Sequence, residues 1–557
     1  MRVKLTSLVA CVLLLFCACS QAIGGPRSSS DLQMDDYDVV ILGGRVMDPE
    51  TGFDEIRNVG IKDGLIEAIT TKPITGNTVL AAAGQVVTAG FVDTHWHGQD
   101  VLTQKLALRA GITTALELEG GGLKVAQWYL SKEGNSLYNY GITASHMAHR
   151  IRIHDDEAWQ INKDLTAGPM DAVQITVMMG RATEAGWSVS TSNRQQLNDL
   201  MRSLDEELRQ GAIGVGSVPG YSRTGISTLE QYAVQKAAGN YGRLTSVHGR
   251  YYPSALTPAE QPAGFDEVFA NALELEAPLL YCHMLDAGWQ DIANKLSWAR
   301  RKGYTMWGEI YPYIAASTVI SAEYLQPETY EATGNQYGNG GAEGGIYDPE
   351  RGKFYTREEF LKARNTDADK LIFAYYGNRS FWLEDWVRDE ELTLATDGTW
   401  LPLGTSVNFN TPYEKWAGHP RTAGSHGKLL RLSRELELPL MITLSKMNYL
   451  PAKYLGNTGL KAMQVRGRMQ EGMVADVVVF NPLTVTDNST YKVGEQGLPV
   501  TGVSHVLVNG IAVVVDSQVR EVYAGQPIRF PVEQKGRFMP LTEEAWIRYY
   551  GSSTTPR

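Results

Sequence analysis

Short stretches in which apolar and polar residues alternate occur in pairs near both ends of the chain. Two of them contain a turn signal, Asp-Gly in one and Asn-Gly in the other, between two apolar halves. Alternation predicts strands, and these dipeptides between apolar runs predict hairpins. We expect one β-sandwich domain that both ends of the chain build, from residues 36–88 and 463–530. The stretches are 37–48 (YDVVILGGRVMD), 58–69 (NVGIKDGLIEAI), 475–482 (ADVVVFNP) and 503–516 (VSHVLVNGIAVVVD).

Between these ends, short apolar stretches alternate with segments long enough to form helices. Strands that alternate with helices predict a parallel sheet, and eight such strands predict a (β/α)8 barrel. We therefore expect an α/β protein with a TIM-like barrel over residues 89–462. An insertion at about 321–370 is rich in glycine and is interpreted as a loop that covers the site. The eight stretches are 91–97, 112–119, 172–179, 211–217, 244–248, 279–283, 305–313 and 392–398.

The first 22 residues have the pattern of an export signal. Two basic residues precede an apolar stretch, 5–16, that is too short to span a bilayer. The pattern resembles a bacterial lipoprotein signal with Cys19 as the lipidated residue, and simple secretion with cleavage after Ala22 is the alternative. We expect an exported bacterial protein, either periplasmic or held on a membrane through the lipid. Residues 23–35 then form a tether, and residues 531–557 form a C-terminal tail.

Composition and charge reduce the number of protein classes to which the chain can belong. The 557 residues are 43% hydrophobic and 20% charged, which is typical of a globular protein. A net charge of −11 argues against binding to nucleic acid. Only Cys282 lies outside the export signal, so the exported chain has no disulfide to form within itself.

Histidines and carboxylates recur at the ends of the predicted barrel strands. His95 and His97 alternate with Trp96, so the two imidazoles share one face of their strand. Buried imidazoles and carboxylates are costly without partners, and a divalent metal ion removes that cost. Glu117 shares the face of Glu119 but lies one pleat deeper, which favours Glu119 as a ligand. The candidate ligands are His95, His97, Glu119, His248, His283 and Asp397.

Several motifs, taken in order, resemble the amidohydrolase superfamily. Two stretches, HPRTAGSHGKLLRLSRE and the closing LPAKYLGNTGLKAMQVRGRMQEGMVADVVVFNPLTVTDNSTY, are most similar to the N-acyl-D-amino-acid deacylases, the D-aminoacylase and N-acyl-D-glutamate deacylase group. The resemblance covers roughly residues 36–530. It implies the barrel with its flanking sandwich, a site for one or two zinc ions, and hydrolysis of an N-acyl amide. The other motifs are GFVDTHWH, GITTALELEGG, SVHGRYY, YCHM, YPYIAAST and ATDG.

The resemblance also implies roles for single residues. The four candidate histidines become metal ligands, and Asp397 becomes both a ligand and the catalytic base. Glu119 stands where the family often has a bridging cysteine. Since a carboxylate either bridges two ions or binds one, the metal count stays open. Leu285 stands where the family tends to place a lysine that holds the substrate carboxylate, so either carboxylate recognition or the substrate differs here.

Four residues are candidates for binding the charged end of a substrate. Arg250 follows His248 by two positions and faces the same way on a continuing strand, and an arginine binds a carboxylate through two hydrogen bonds. An ion pair without a role in binding is the alternative for each arginine, and core packing is the alternative for Tyr313. The candidates are Arg250, Tyr311, Tyr313 and Arg421. The histidines without a strand-end position are interpreted as loop or surface residues; they are His146, His149, His154, His419 and His426.

These observations predict a metal-dependent amidohydrolase whose partner is a small-molecule amide. It would cleave the amide bond of an N-acyl-D-amino acid or a similar N-acyl amide, with metal-activated water and Asp397 as the base. The alternatives are a hydrolase of a cyclic amide, a hydrolase of a peptide-like isoaspartyl or cell-wall amide, and a non-catalytic binding lipoprotein. Cyclic-amide hydrolases usually place a carboxylated lysine between the metals, and no lysine here ends a convincing middle strand.

Overall fold

The computed structural model describes residues 36–181, 186–251, 260–338, 344–402 and 404–553. The predicted export signal with Cys19 and the tether 23–35 therefore lie outside the described residues. Within these ranges, no helix is long and apolar enough to cross a membrane.

Strands and helices alternate through most of the described chain. The strands are β1 (Asp36–Asp48), β2 (Phe53–Lys62), β3 (Leu65–Thr70), β4 (Thr75–Ala81), β5 (Val86–Ala89), β6 (Phe91–Asp93), β7 (Ile112–Gly122), β8 (Asn139–Ser145), β9 (Gly214–Ser217), β10 (Leu244–Val247), β11 (Leu279–Tyr281), β12 (Met306–Ile310), β13 (Ala315–Val319), β14 (Gly345–Asp348), β15 (Lys353–Phe354), β16 (Leu371–Tyr375), β17 (Thr393–Leu394), β18 (Val477–Phe480), β19 (Val503–Val508), β20 (Ile511–Val515) and β21 (Gln518–Val519). The helices are α1 (Val101–Arg109), α2 (Val125–Lys132), α3 (His146–His154), α4 (Asp156–Ile161), α5 (Lys163–Thr166), α6 (Ala172–Arg181), α7 (Gly186–Val189), α8 (Arg194–Arg209), α9 (Thr228–Gly239), α10 (Glu260–Glu274), α11 (Trp289–Arg301), α12 (Pro327–Ala332), α13 (Arg357–Thr366), α14 (Leu383–Arg388), α15 (Arg421–Glu435), α16 (Leu440–Leu444), α17 (Leu450–Asn457), α18 (Lys461–Gln464) and α19 (Glu543–Tyr550).

The predicted (β/α)8 barrel is confirmed. An eight-stranded parallel sheet runs in the order β17-β12-β11-β10-β9-β8-β7-β6. Its two edges meet through a parallel bridge between Trp96 and Gly398, where the His97 amide donates to the Gly398 carbonyl at 3.0 Å and the Gly398 amide donates to the His95 carbonyl at 3.1 Å. The closure therefore joins the end of the first barrel strand to the end of the last one.

The prediction for the third barrel strand is wrong. Residues 172–179 form most of α6, and the third strand is β8. A continuous apolar run does not distinguish a buried strand from a buried helix. Ile175, Met178 and Met179 have helical spacing and are buried in one cluster with Met147 of α3. Strand β8 was not predicted from the sequence, because its residues, NYGITAS, include Asn and Gly, which are poor strand formers.

The two ends of the chain build one nine-stranded sheet beside the barrel. The C-terminal strands β18–β21 lie side by side in one part of the sheet and the N-terminal strands β1–β5 in the other, and β18 pairs with β5 where the two parts meet. Val39, Ile61, Val477 and Leu507 are buried in one apolar cluster, so both ends of the chain fill the same core. The predicted flanking β domain that both chain ends build is therefore confirmed, and its strands form one nine-stranded sheet.

The insertion is more ordered than its composition suggests. Strands β13–β16 form a separate four-stranded sheet, and helices α12 and α13 lie between its strands in the sequence. Ile346, Phe360 and Ile372 are fully buried in a small core of its own. Residues 339–343 of the glycine-rich segment lie outside the described residues. The segment predicted as a covering loop is thus mostly a small subdomain.

A buried polar cluster joins the terminal sheet to the barrel. Asp476 accepts hydrogen bonds from the Asn509 amide at 2.7 Å, from Asn139 Nδ2 at 2.8 Å and from Arg466 Nε at 3.0 Å. Asn139 belongs to barrel strand β8, whereas Asp476 immediately precedes β18 of the other sheet. The carboxylate is therefore the common acceptor of both layers.

Replacing this carboxylate tests its role in stability. We expect Asp476→Ala to lower the free energy of unfolding by about 3–5 kcal/mol, because Arg466 becomes a buried charge without its partner. Urea denaturation followed by circular dichroism measures the change. Asp199→Ala is the control, since it breaks an exposed ion pair with Arg202 and is expected to cost less than about 1 kcal/mol. Equal midpoints for the two variants would contradict the assignment.

Candidate metal centre and active site

The candidate ligands come together at the carboxyl ends of the barrel strands. His95 and His97 follow β6, Glu119 lies in β7, and the remaining three follow β10, β11 and β17. The carboxyl ends of parallel barrel strands face the same side, which is where barrel enzymes hold their active sites. All six side chains line one cavity or touch a residue that lines it, and the last three are His248, His283 and Asp397.

One group of donor atoms surrounds a single point. His95 Nε2 lies 3.1 Å from His97 Nε2 and 3.0 Å from Glu119 Oε2. Asp397 Oδ1 is 3.5 Å from the Nε2 atoms of both histidines. Two ligand atoms on one tetrahedral zinc ion, each about 2.1 Å from it, lie about 3.4 Å apart. These donors therefore have the spacing of a zinc site.

A second group gathers around the other oxygen of the same carboxylate. Glu119 Oε1 is 2.8 Å from His248 Nδ1 and 2.9 Å from His283 Nε2. Asp397 Oδ2 lies 3.7 Å from His283 Nε2. Each oxygen of Glu119 thus faces a different pair of imidazoles. This is the arrangement of a carboxylate between two metal positions, and the residues present fit two ions.

The electrostatics of these groups show why cations belong here. Burial raises the pKa of Glu119, but the charges of His95, His283 and His248 outweigh it and hold that pKa well below its ordinary value. Burial lowers the pKa of His95, but Glu119 and Asp397 raise it well above the ordinary value. Burial likewise lowers the pKa of His97, but Glu117 and Asp397 raise it well above its ordinary value. Without metal, the protons on His95 and His97 therefore supply positive charge beside the buried carboxylates.

Two carboxylates behind the histidines orient the rings. Glu309 of β12 accepts from His95 Nδ1 at 2.6 Å and from the Thr94 hydroxyl at 2.7 Å. Glu117 lies 2.6 Å from His97 Nδ1. With Nδ1 held by a carboxylate, each ring presents Nε2 to the donor group, and such partners raise the basicity of a metal-bound histidine. Glu117 therefore supports a ligand, in agreement with its deeper pleat, and sequence reasoning missed Glu309.

The backbone is strained at two of the candidate ligands. His283 has φ of 35° and Asp397 has φ of 48°, both in the left-handed region that non-glycine residues seldom adopt. Such a conformation costs on the order of 1–3 kcal/mol and persists where the surroundings demand it. Here each turn ends a barrel strand and brings the side chain to Glu119.

Asp397 is also held by an arginine. Arg421 Nη2 lies 2.7 Å from Asp397 Oδ1, and its Nε donates to the Asp397 carbonyl at 2.6 Å. Burial raises the pKa of Asp397, but the charges of Arg421 and His95 lower it below the ordinary value of an aspartic acid. The side chain is therefore an ionised carboxylate, which is the form that accepts a proton.

The cavity has an apolar part and a polar part. The space between its walls, together with the open solvent at its mouth, amounts to about 790 Å³. The apolar part is formed by Met147 of α3, by Ile175 and Met179 of α6, and by Val218. The polar part is formed by hydroxyl and guanidinium groups, several of which come from the inserted subdomain or from the chain just after it. They belong to Tyr311, Ser317, Thr318, Tyr324, Arg379 and Arg421.

The predicted substrate-binding residues divide into two pairs. Tyr311 and Arg421 line the cavity, whereas Arg250 and Tyr313 do not. Arg250 is buried and forms a two-pronged ion pair with Glu267 at 2.8 and 2.9 Å. Tyr313 is buried against Lys428, whose Nζ is 3.8 Å from the ring centroid. The alternatives of an ion pair for Arg250 and of core packing for Tyr313 describe what the structure shows.

The remaining histidines differ from their interpretation as loop or surface residues. His146, His149, His419 and His426 are all buried, and His154 is half-buried. His146 bonds to Ser217 and Glu230 at 3.0 Å each, which gives it polar partners inside the protein. The interpretation failed because it relied on strand ends alone, whereas helix α3 also buries histidines, and both ring nitrogens of His149 lack a hydrogen-bond partner among the described residues.

The comparisons with known proteins agree with this geometry. No protein-family model matches the chain. It is similar to the N-acyl-D-glutamate deacylase of Alcaligenes xylosoxydans xylosoxydans, with 27% identity over 86% of this chain and 93% of the relative. The D-aminoacylase of the same organism is 24% identical over 90% of this chain and 98% of the relative. A solved N-acyl-D-glutamate deacylase from Bordetella bronchiseptica, in complex with zinc and a phosphonate inhibitor, has a TM-score of 0.66, with 20% identity, over 89% of this chain and 100% of that chain. The structural likeness shows the same fold, and the resemblance inferred from the motifs is confirmed.

Replacing Glu309 tests the support of the metal centre. We expect Glu309→Gln to weaken zinc retention about 10- to 100-fold, because the amide no longer fixes the His95 ring and its proton. Competition with a chromogenic chelator measures the zinc affinity. Glu358→Gln, an exposed position on α13, is the matched control and should leave the affinity unchanged. An unaltered zinc affinity in Glu309→Gln would show that Glu309 does not support the metal centre.

Proposed function

We propose that this chain, which resembles the N-acyl-D-amino-acid deacylases over most of its length, is a metal-dependent hydrolase that cleaves the amide bond of an N-acyl-D-amino acid. One observation carries the proposal. Both oxygens of Glu119 face histidine pairs at 2.8–3.6 Å, and Asp397 lies against the same atoms beside an open cavity. A structural polar cluster would not need to be open to a substrate.

The residues that would hold the metal follow from the two donor groups. His95, His97 and Asp397 would hold one zinc ion, His248 and His283 would hold the other, and Glu119 would bridge them. Imidazole and carboxylate ligands suit zinc. When bound, zinc lowers the pKa of coordinated water and polarises an amide carbonyl.

Asp397 is the residue placed to move the proton. Its ionised carboxylate borders both donor groups and the cavity, so it can accept a proton from the attacking water. An amine leaves an amide carbon poorly until its nitrogen is protonated, and the same carboxyl group can deliver that proton. Arg421 holds the carboxylate in place through Nη2 and through the backbone carbonyl.

The cavity wall favours a substrate with one charged and one apolar part. Arg421 lines the cavity, and its Nη1 has no hydrogen-bond partner among the described residues, so we assign this arginine to a substrate carboxylate. The apolar part, with Met147, Ile175 and Met179, would take an apolar side chain or acyl group. Among the described residues, no lysine lines the cavity, so the structure offers no candidate for the carboxylated lysine of cyclic-amide hydrolases. A peptide-like amide remains the second candidate substrate.

The proposal extends to the location of the protein. Residues 1–22 carry the pattern of an export signal, with lipidation at Cys19 or cleavage after Ala22 as the two outcomes. The mass of the mature N-terminus distinguishes a lipid-bearing cysteine from a plain cleaved end. A full-length N-terminus on the mature protein would overturn the exported location.

Paired substrates test the proposed activity. We expect the zinc-loaded enzyme to release amine from N-acetyl-D-amino acids and not from the L series, because the deacylases it resembles are named for D substrates. Asp397→Asn should lower kcat by at least about 100-fold, the usual contribution of general acid–base catalysis. Asp385→Ala, exposed on α14, should retain full activity. Absence of release from both series, with zinc bound, would reject simple N-acetyl-amino acids as substrates.

The apolar part of the cavity predicts a preference among the D substrates. N-acetyl-D-leucine should exceed N-acetyl-D-glutamate in kcat/KM by about tenfold or more, because a second carboxylate would be buried there without a cation. Ile175→Gln should reduce this preference, and Ile56→Gln, at a position 69% exposed, should not. A preference for the acidic substrate would show that the side chain occupies another part of the cavity.

A further inference from the structure

A second arginine lines the cavity without a part in the chemistry derived so far. Arg379 is only 2% exposed and follows β16, the last strand of the inserted subdomain. Its Nε and Nη2 donate to the two carboxylate oxygens of Asp286 at 2.8 and 2.9 Å. Asp286 follows β11, the strand that leads to His283. The insertion thus delivers a guanidinium to the mouth of the barrel, and a barrel carboxylate orients it.

The pairing leaves hydrogen-bond capacity on the guanidinium. A guanidinium has five N–H donors. One on Nε and one on Nη2 are directed at Asp286, and Nη1 makes one long contact of 3.4 Å with the Tyr311 hydroxyl. The rest of the donors have no acceptor recorded among the described residues, and the group lines the cavity.

Arg379 and Arg421 approach Tyr311 from different directions. Arg421 Cζ lies 4.6 Å from the centroid of the Tyr311 ring, whereas Arg379 contacts the hydroxyl. All three side chains line the cavity. The phenol hydroxyl of Tyr311 carries one O–H group that can donate a hydrogen bond. The polar part therefore presents two guanidinium groups and one hydroxyl, which are donors in need of an acceptor.

We propose that Arg379 determines specificity by binding, together with Arg421 and Tyr311, the carboxylate of the substrate. The inference rests on the proposed function, since it assigns the charged end of that substrate. A carboxylate offers about four acceptor sites in one plane, which matches N–H donors from two guanidinium groups. Asp286 holds Arg379 in the required orientation and offsets the cost of burying its charge.

The inserted subdomain acquires a role through this residue. Its sheet places β16 beside β13 and β14, and Arg379 follows β16 by four residues. The carboxylate-binding wall is then shared between the barrel, which supplies Tyr311 and Arg421, and the segment that the insertion anchors. Any shift of the subdomain would move one of the two guanidinium groups relative to the other.

The test compares a substrate with a counterpart that lacks only the carboxylate. N-acetyl-D-leucine is measured against N-acetyl-3-methylbutylamine on the zinc-loaded enzyme. In Arg379→Met, we expect KM for the carboxylate substrate to rise about tenfold or more, as for a lost charge-assisted hydrogen bond, with a smaller change in kcat. The kcat/KM of the counterpart should stay unchanged. Arg388→Met, on the exposed face of α14, is the matched control.

The conservative variant separates binding from structure. Arg379→Lys keeps the charge beside Asp286 but not the planar fork, so we expect a smaller loss that is still confined to the carboxylate substrate. Thermal unfolding checks that each variant is folded. If Arg379→Met is not folded, the result for Arg379→Lys alone decides the test. Equal losses on both amides would show that Arg379 only ties the insertion to the barrel, and an unchanged KM would equally overturn the inference.

Failure of the proposed function gives a different result. If the wild-type enzyme hydrolyses neither amide, the proposed activity fails, and calorimetric binding of the two compounds to the zinc-loaded protein then tests Arg379. Weaker binding of N-acetyl-D-leucine to Arg379→Met than to the wild type would support carboxylate recognition. Equal binding to both proteins would overturn it.

Discussion

The buried carboxylate of Glu119 is the group on which the rest of the site depends. Its two oxygens lie 2.8–3.0 Å from nitrogen atoms of three histidines that come from different barrel strands. A buried carboxylate persists only where positive charge compensates it, and metal ions held by the surrounding imidazoles would supply that charge. This one side chain therefore lies between the two groups of donor atoms that would hold metal ions.

The surrounding fold fixes the positions of the side chains around Glu119. The bridge between Trp96 and Gly398 closes the barrel next to His97 and Asp397, so the contact that closes the barrel also positions these two side chains. Glu309 and Glu117 fix the rings of the two histidines from behind. The strained backbone at Asp397 is held between these contacts and Arg421. The orientation of the candidate ligands thus depends on packing and hydrogen bonds with the residues behind them.

The inserted subdomain and α6 form part of the cavity wall. Met179 of α6 contributes to the apolar wall, and Thr318 of β13 to the polar one. Neither element belongs to the eight strands that hold the ligands. The barrel therefore supplies the reactive groups, while segments added between its strands shape what reaches them. Relatives with the same barrel can differ in substrate through such segments alone.

The sequence by itself determined the barrel and predicted that the candidate ligands lie together, because strands alternate with helices and the carboxyl ends of parallel strands meet on one side. Positions at the ends of predicted strands identified the four candidate histidines His95, His97, His248 and His283. Tertiary structure alone decided what their partners are. Glu309 lies 214 positions from the histidine it orients, and no local pattern signals that pairing. The apolar run 172–179 was compatible with strand or helix until packing against α3 selected the helix. Arg250 pairs with Glu267, whereas Arg379 lines the cavity. The sequence does not predict this difference, because a buried guanidinium can bond only to the acceptors that neighbouring elements bring within reach.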